Sequence, residues 1–340
     1  MNLKQNNLKL INSNQFSNIK LLEWLVLYNN QISFIENNSF SSLKKLTELY
    51  LQYNDLAIIN LNQFSKMESL ETLNLSNNKI SFIENNSFEG LNKLNYLYLH
   101  YNRLTHINSN LFSSMESLSI FLDLSNSQIS FIENNSFSSL KQLTQLNLKY
   151  NNLSIINSNQ FSNITSLITL YLSNNQISFI ENNSFESIKK LIKLYLKSNS
   201  LTVIHSNQFS SIESLEWLDL SNNKISFIEN NSFLNLEKLT DLNLQSNEIK
   251  IIESYAFKFT MIEDLTIKDQ YLEKISSFSF YQMSKLTYLD LSNNKITIIE
   301  SNAFSYCDQL MSINLNGNII KEIQSFAFYQ LNSITNLDLK

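Results

Sequence analysis

The chain has 340 residues, of which 43% are hydrophobic, and it carries a net charge of −5. Its basic residues are scattered along the sequence, which excludes the electrostatic footprint of a nucleic-acid-binding protein. Cys307 is the only cysteine, so there is no internal disulfide and no cysteine-based metal site. No apolar run reaches the length of a signal peptide or a membrane span, so we expect a soluble chain without membrane insertion.

A single sequence unit recurs about every 24 residues from one end of the chain to the other. Residues 70–91, LETLNLSNNKISFIENNSFEGL, show the unit at its clearest. A longer period of two units is also present, because ISFIENNSF returns at every other unit between residues 32 and 233. We therefore predict one continuous array over residues 1–340. Regular double repeats of about 48 residues fill 1–238, and diverged repeats fill 239–340.

The spacing within a unit predicts its local structure. Leu73 and Leu75 alternate with polar residues, which is typical of a short strand with one buried face. Such strands would stack in parallel about 4.8 Å apart. The segment that follows is short and rich in Asn and Ser, so we expect turns, with a short helical turn around residues 88–91. Because the chain has only 2 Gly and no Pro, we expect Asn, Ser and Asp to form the tight turns.

One Asn recurs where each unit leaves its strand. A buried Asn there can satisfy backbone N–H and C=O groups of its own and a neighbouring turn. We interpret the series as a structural ladder, and the Phe that recurs at the position of Phe88 as a spine in the core. The ladder residues are Asn6, Asn30, Asn54, Asn78, Asn102, Asn151, Asn175, Asn199, Asn223, Asn247, Asn294 and Asn318.

The pattern LxxLxLxxNxIxxIxxxxFxxL in residues 70–91 resembles the leucine-rich repeat family, in its typical 24-residue class. That class is found in the ectodomains of Toll-like receptors, Slit-like proteins and small proteoglycans. The resemblance implies an α/β right-handed solenoid, curved as a horseshoe. A parallel β-sheet would line its concave face, with turns and short helical turns on the convex face. It also implies protein recognition on the concave face.

This sequence departs from those ectodomains in one respect. They carry Cys-rich caps at their ends, and this chain has none. Open ends would expose the core and unpaired strand edges. We therefore expect a fragment that lacks both caps.

Two units break the register. Leu122 and Leu124 follow Leu118 by one residue too many, and Ser127 takes a ladder position. Near residues 257–275 one residue is missing, and Gln270 replaces the ladder Asn. Such breaks are consistent with drift at a duplication seam, or with a bend that shapes a binding site.

The outward strand positions are the candidate binding surface. They are aromatic in the first half of the chain and acidic in the last third, where Asp241 and Asp264 occupy them. Tyr and Trp favour a recognition surface, although stacked aromatic residues can also simply stabilise a sheet. The predicted protein-binding residues are Trp24, Tyr28, Tyr50, Tyr53, Tyr96, Tyr98, His100, Tyr101, Phe121, Tyr150, Tyr171, Tyr195 and Trp217.

Few residues of the sequence stand in an arrangement that could support catalysis. The three histidines are far apart in the repeat frame and have no metal-ligand spacing. No oriented nucleophile or glycine-rich phosphate loop is visible. A recurring Glu, as in Glu36, is best interpreted as part of a solvated edge. We predict that the chain is not an enzyme and uses no cofactor or metal.

Five N-x-S sequons fall at one repeat position. In the secretory pathway they would carry glycans along one edge of the solenoid, although a sequence rich in Asn and Ser also produces sequons by chance. They begin at Asn37, Asn85, Asn134, Asn182 and Asn230.

Together these observations favour a non-enzymatic module that binds a protein ligand on its concave face. We expect it to be part of an extracellular or cell-surface recognition or adhesion protein. The alternatives are a cytoplasmic scaffold or effector, and a structural matrix solenoid. The sequence leaves the identity of the ligand and the oligomeric state open.

Overall fold

The computed structural model describes residues 1–340 and contains β-strands and turns but no helix. By its contacts the chain divides into two compact units. The first comprises residues 1–153 and 157–171, and the second comprises residues 154–156 and 172–340. Each unit is a parallel β-solenoid in which every complete repeat contributes two strands.

The long strands have three residues each. They are β2 Trp24–Val26, β4 Glu48–Tyr50, β6 Thr72–Asn74, β8 Tyr96–Tyr98, β10 Phe121–Asp123, β12 Gln145–Asn147, β14 Thr169–Tyr171, β16 Lys193–Tyr195, β18 Trp217–Asp219, β20 Asp241–Asn243, β22 Asp264–Thr266, β24 Tyr288–Asp290, β26 Ser312–Asn314 and β28 Asn336–Asp338.

The short strands have two residues each. They are β1 Leu10–Ile11, β3 Phe34–Ile35, β5 Ile58–Ile59, β7 Phe82–Ile83, β9 His106–Ile107, β11 Phe131–Ile132, β13 Ile155–Ile156, β15 Phe179–Ile180, β17 Val203–Ile204, β19 Phe227–Ile228, β21 Ile251–Ile252, β23 Lys274–Ile275, β25 Ile298–Ile299 and β27 Glu322–Ile323.

The long strands pair in parallel with equivalent residues opposite one another. In the first unit they run in order from β2 to β14, and Leu49, Leu73 and Leu97 are successive partners. In the second unit β16, β18 and β20 pair in order, and a separate sheet runs from β22 to β28. The short strands make only sheets of two or three strands.

The core follows the predicted repeat positions. The central residue of each long strand from Leu25 to Leu218 has no exposed surface, and Phe88 is fully buried. Successive Phe rings stack, as between Phe40 and Phe64, whose ring centroids are 6.2 Å apart. Burial of each ring contributes about 1.5–3 kcal/mol. The predicted Phe spine is therefore confirmed.

The Asn ladder has the predicted role. The Asn78 Nδ2 donates to the carbonyls of Leu75, in its own turn, and of Leu51, in the preceding one, at 3.1 and 3.0 Å. Its Oδ1 accepts from the Leu56 N–H at 3.1 Å. One buried amide thus joins two turns that would otherwise bury unpaired backbone groups.

The recurring Glu, which we interpreted as part of a solvated edge, makes a second contact between turns. The Ser13 N–H donates to Glu36 at 2.7 Å, and the Ser206 N–H donates to Glu229 at 2.8 Å. These backbone hydrogen bonds hold the pKa of both carboxyls below their ordinary values. The residue therefore has a structural role that its exposure alone did not suggest.

The expected helical turn is not confirmed. Residues 88–91 form a turn that is closed by one bond, from the Leu91 N–H to the Phe88 carbonyl at 3.4 Å. Another turn closes through the Leu94 N–H and the Leu91 carbonyl at 3.3 Å. These bonds span three residues and do not overlap into a helix, so the segment contributes no α component to the fold.

The two register breaks have different outcomes. At the first, β10 keeps its pairing with both neighbours. The hydroxyl of Ser127 is buried there without a partner, so the ladder is interrupted. At the second, Gln270 completes the ladder. Its side chain accepts from the Ile249 N–H and donates to the Leu244 carbonyl, both at 3.0 Å.

The second break also opens the sheet. Asp241 and Asp264 are only 23 residues apart, and β20 and β22 are not hydrogen-bonded. Leu242, the central residue of β20, is 8% exposed, whereas its equivalents Leu218 and Leu265 are fully buried. The deletion is therefore absorbed as a gap between two long strands.

A reciprocal exchange tests the ladder. Gln270→Asn shortens the side chain by one methylene, so both buried bonds should be lost, at a cost of about 2 kcal/mol or more. Asn78→Gln should overpack its turn and cost about 1–3 kcal/mol. Urea denaturation measures both changes, with the exposed Asn92→Gln as a control near zero. Neutral behaviour of Gln270→Asn would show that Gln270 does not act as a ladder residue.

Amide hydrogen exchange tests the gap. The Leu220 and Asp241 N–H groups donate to Asn243 and Glu216 at 2.9 and 3.0 Å. The equivalent donors across the gap, Leu244 and Asp264, have no such acceptor. Their amides should exchange at least about tenfold faster than those of Leu220 and Asp241. Equal protection at the four positions would show that the sheet is closed.

Candidate functional site

The outward positions of the long strands, with the turn residues directly after them, form what we call the long-strand face. All thirteen predicted binding residues lie on it, outside the core. Trp24, Tyr53, Tyr101, Tyr150 and Trp217 are exposed, and the other eight are half-buried. The alternation of buried and outward residues along each strand produces this placement.

An aromatic cluster surrounds Tyr98 in the first unit. The Tyr98 ring stacks beside Tyr96, with centroids 6.4 Å apart, and meets the edge of Phe121 at 5.7 Å. His100 packs against both Tyr98 and Tyr101, with centroids at 6.1 and 5.7 Å. The structure thus joins five of the predicted residues, from two adjacent strands and one turn, into one surface.

A carboxylate lies at the edge of this cluster. The His100 Nδ1 is 3.3 Å from the Asp123 Oδ2, and the Ser125 N–H donates to the Asp123 Oδ1 at 3.0 Å. Burial acts to raise the pKa of Asp123, but His100 and Ser125 outweigh it, and the pKa lies below its ordinary value. The cluster therefore combines apolar rings with one fixed negative charge.

Burial raises the pKa of the hydroxyls on several of these rings. This holds for Tyr50, Tyr98 and Tyr195. The Tyr50 hydroxyl donates to Glu48 at 3.0 Å. These phenols remain protonated at neutral pH and can act as hydrogen-bond donors at the rim of an apolar contact.

Other predicted residues are not part of the Tyr98 cluster. The Lys4 Nζ lies 5.8 Å from the Tyr28 ring centroid, and the Lys149 Nζ lies 4.5 Å from that of Tyr171. In the second unit the Tyr195 and Trp217 rings pack together, with centroids 6.4 Å apart.

Three of the predicted binding tyrosines have a left-handed backbone conformation. The first turn after each long strand places one residue in the left-handed region, as at Asn29 and Asn77, with φ of 53° and 52°. Tyr53, Tyr101 and Tyr150 occupy this position with φ of 57°, 53° and 55°. Asn tolerates the conformation, whereas a bulky residue there is strained. Tyr255, Phe278 and Tyr306, in other turns, adopt the same region with φ of 61°, 60° and 63°.

The sequence interpretation missed a second surface. The first residue of most short strands is apolar and exposed, for example Phe34, Phe82 and Phe131 at 50%, 54% and 47%. Because Ile83 is buried and strand neighbours alternate, Phe82 must point outward. The motif ISFI therefore contained the signal. Apolar rows of this kind often mark contact surfaces.

The sequon asparagines lie on the surface. All five are exposed, whereas the sequon serines are buried and bonded. The Ser39 hydroxyl, for example, donates to the Glu36 carbonyl at 2.7 Å and lies 3.2 Å from the Ile11 carbonyl oxygen. Asn37 also lies close to Phe34, so a glycan there would be near the exposed row of the short strands.

Little in the structure supports other chemistry. No group of three or more His, Cys, Asp or Glu side chains could hold a metal ion. Cys307 is buried, which raises the pKa of its thiol to about 12, so it is a poor nucleophile. No element of the structure is an apolar helix of membrane-spanning length.

The fold and this surface define a repeat protein that presents side chains on a parallel sheet. A family model described as leucine rich repeat matches overlapping segments across residues 1–249, and one described as BspA type leucine rich repeat region matches residues 226–340. The chain belongs to the leucine-rich repeat family. A comparison with curated proteins gives no match.

Several solved structures share the fold. A leucine-rich repeat protein of Leptospira interrogans is 22% identical with a TM-score of 0.68, over 100% of this chain and 89% of that one. A chain of the Toll–Spatzle complex of Drosophila is 20% identical with a TM-score of 0.70, over 91% and 46%. An internalin of Listeria monocytogenes is 20% identical with a TM-score of 0.62, over 93% and 86%.

The strained tyrosines give a stability test. Tyr53→Asn and Tyr150→Asn remove exposed rings that make no aromatic contact and replace them with the residue favoured at left-handed φ. Each change should raise the free energy of unfolding by about 1 kcal/mol. Asn77→Tyr, the reverse change, should lower it by a similar amount. Denaturant titration measures these differences, and a loss of stability in the two Asn variants would contradict the assigned strain.

Proposed function

We propose that the chain is a non-enzymatic protein-binding module that uses the long-strand face. We further propose that it forms part of an extracellular or cell-surface recognition or adhesion protein. The observation that carries the proposal is the Tyr98 cluster, in which five ring side chains from two adjacent strands and one turn lie together in partly exposed positions.

The physical properties of the cluster suit a protein partner. Tyr rings provide large contact areas at low entropic cost, and their hydroxyls provide hydrogen bonds at the margin. The rings around Tyr98 contact one another, so we expect them to lose little side-chain conformational entropy when a partner binds. Tyr50 extends the same surface toward the preceding turns.

The comparisons support this proposal only in general terms. The Toll–Spatzle structure is a complex, and the similarity at 20% identity concerns the fold. We infer an extracellular location because the five sequon asparagines are exposed along one edge. A cytoplasmic scaffold or a matrix solenoid would use the same sheet without glycans.

A triple substitution tests the binding surface. Tyr96, Tyr98 and Tyr101 are changed together to Ser, which removes the rings and keeps the strand pairing. The biotinylated protein is used to capture partners from intact cells and, separately, from a soluble extract of its source organism. Purified captured protein is then titrated against each variant by biolayer interferometry. Affinity should fall at least about 100-fold, since the changes remove several hot-spot side chains.

The matched control changes Phe34, Phe82 and Phe131 to Ser. It removes the same number of exposed rings from the same unit, on the short strands. Affinity should stay within about threefold of the unmodified protein. Retained binding by the Tyr variant, or loss confined to the Phe variant, would show that the long-strand face is not the binding surface. Capture from the soluble extract alone would contradict the cell-surface assignment.

A further inference from the structure

The gap between β20 and β22 opens a cavity on the long-strand face of the second unit. Its volume is about 510 Å³, and its lining includes Trp217, Asp241, Leu242, Glu263 and Asp264. The cavity exists because the 23-residue repeat leaves these two strands unpaired. No other pair of successive long strands within the second unit has such an opening.

Three carboxylates of this cavity have no counter-charge. Asp241, Glu263 and Asp264 are exposed, and none forms an ion pair within 4.0 Å. Hydroxyl groups hold two of them in place. The Thr240 hydroxyl donates to Asp241 at 2.7 Å, and the Thr287 hydroxyl lies 3.1 Å from the Asp264 carboxylate and 3.2 Å from the Glu263 carbonyl. The cavity is therefore negative and partly preorganised.

Carboxylates alone would not define a site, but the cavity also has apolar surfaces. Leu242, exposed only by the gap, provides one of them. The Trp217 indole, 36% exposed and packed against Tyr195, provides another. A ligand that fits must bring positive charge together with a flat group that can pack on an indole.

A metal ion does not fit this description, because no group of three or more His, Cys, Asp or Glu side chains is arranged to hold one. An ammonium group is a compact, strongly hydrated point charge and would leave the indole face largely uncovered. A guanidinium is planar and weakly hydrated. It can donate in fork geometry to carboxylates while it stacks on Trp.

We propose that this cavity binds an arginine side chain presented by the protein partner. The inference rests on the proposed protein-binding function and adds the chemistry of one contact. Arginine would insert between β20 and β22, pair with Asp241 and Asp264, and cover Trp217. The partner would thus meet a cation-selective cavity in the second unit.

The probe is N-acetyl-arginine amide, compared with the neutral isostere N-acetyl-citrulline amide. A Trp24→Phe background leaves Trp217 as the only tryptophan, so its fluorescence reports on the cavity. The arginine probe should give a saturable change with a dissociation constant on the order of millimolar, as expected for a fragment of this size. The citrulline probe should give none.

The Asp241→Asn and Asp264→Asn double variant should weaken the arginine probe at least about tenfold. The control, Glu186→Gln with Glu213→Gln, removes two exposed charges elsewhere in the unit and should change affinity less than twofold. Circular dichroism confirms that both variants fold. An equal response to citrulline, no saturable response, or an unchanged affinity in the Asn variant would overturn the proposal. Equal affinity for N-acetyl-lysine amide would overturn the arginine assignment.

This titration separates the two proposals. The Tyr96, Tyr98 and Tyr101 triple Ser variant changes only the first unit, so it should bind the arginine probe as the unmodified protein does. Failure of the probe experiment would leave the aromatic surface in place. Loss of the captured partner in the triple variant with intact probe binding would support both.

Discussion

The structure depends on the buried Asn side chain that follows most of the long strands. A solenoid built from short strands has many turns, and each turn buries backbone donors and acceptors that its own segment cannot pair. The Asn78 side chain pairs with these buried backbone groups. It accepts from one N–H and donates to carbonyls of two successive turns. Because the bonds cross between repeats, the ladder also fixes the distance from one turn to the next.

That constraint explains why the two register breaks behave differently. An inserted residue before β10 can be absorbed in the preceding turn, but a Ser at position 127 is too short to span two turns, and its hydroxyl remains unpaired. A deleted residue before β22 moves the strands apart. Gln270 has the additional methylene that a wider step requires. The ladder is continuous at this second break while the sheet is not, whereas at the first break the sheet is continuous and the ladder is interrupted. Either set of hydrogen bonds can therefore join neighbouring repeats where the other is lost.

Much of the fold could be predicted from the sequence because the repeat shows each core position many times. The long strands, the ladder and the Phe spine depend on residues that recur with fixed spacing, and the leucine-rich repeat assignment followed from them. The helical turn expected near Phe88 is not confirmed, because single three-residue turns and a short helix have the same apolar spacing. The short strands were overlooked since two-residue elements give almost no alternation, although Phe82 beside the buried Ile83 was informative.

The candidate site could be predicted only in part, for a related physical reason. The outward positions are the strand positions that remain once the core positions of each repeat are assigned. For this reason all thirteen predicted residues lie on the long-strand face. Which of them touch depends on rotamers and on neighbouring turns, and only the structure gathers Tyr96, Tyr98, His100, Tyr101 and Phe121 into one cluster. The strain at Tyr53, Tyr101 and Tyr150 is likewise visible only from φ.

Each of the two proposed contacts lies at a departure from the regular repeat that carries a cost in stability. At Tyr101 the cost is a left-handed backbone under a bulky ring, although the equivalent Asn77 shows the inexpensive solution. Between β20 and β22 the cost is unpaired strand edges and partial exposure of Leu242. Aromatic rings would supply contact area in the first unit, and negative charge around an indole would supply selectivity in the second.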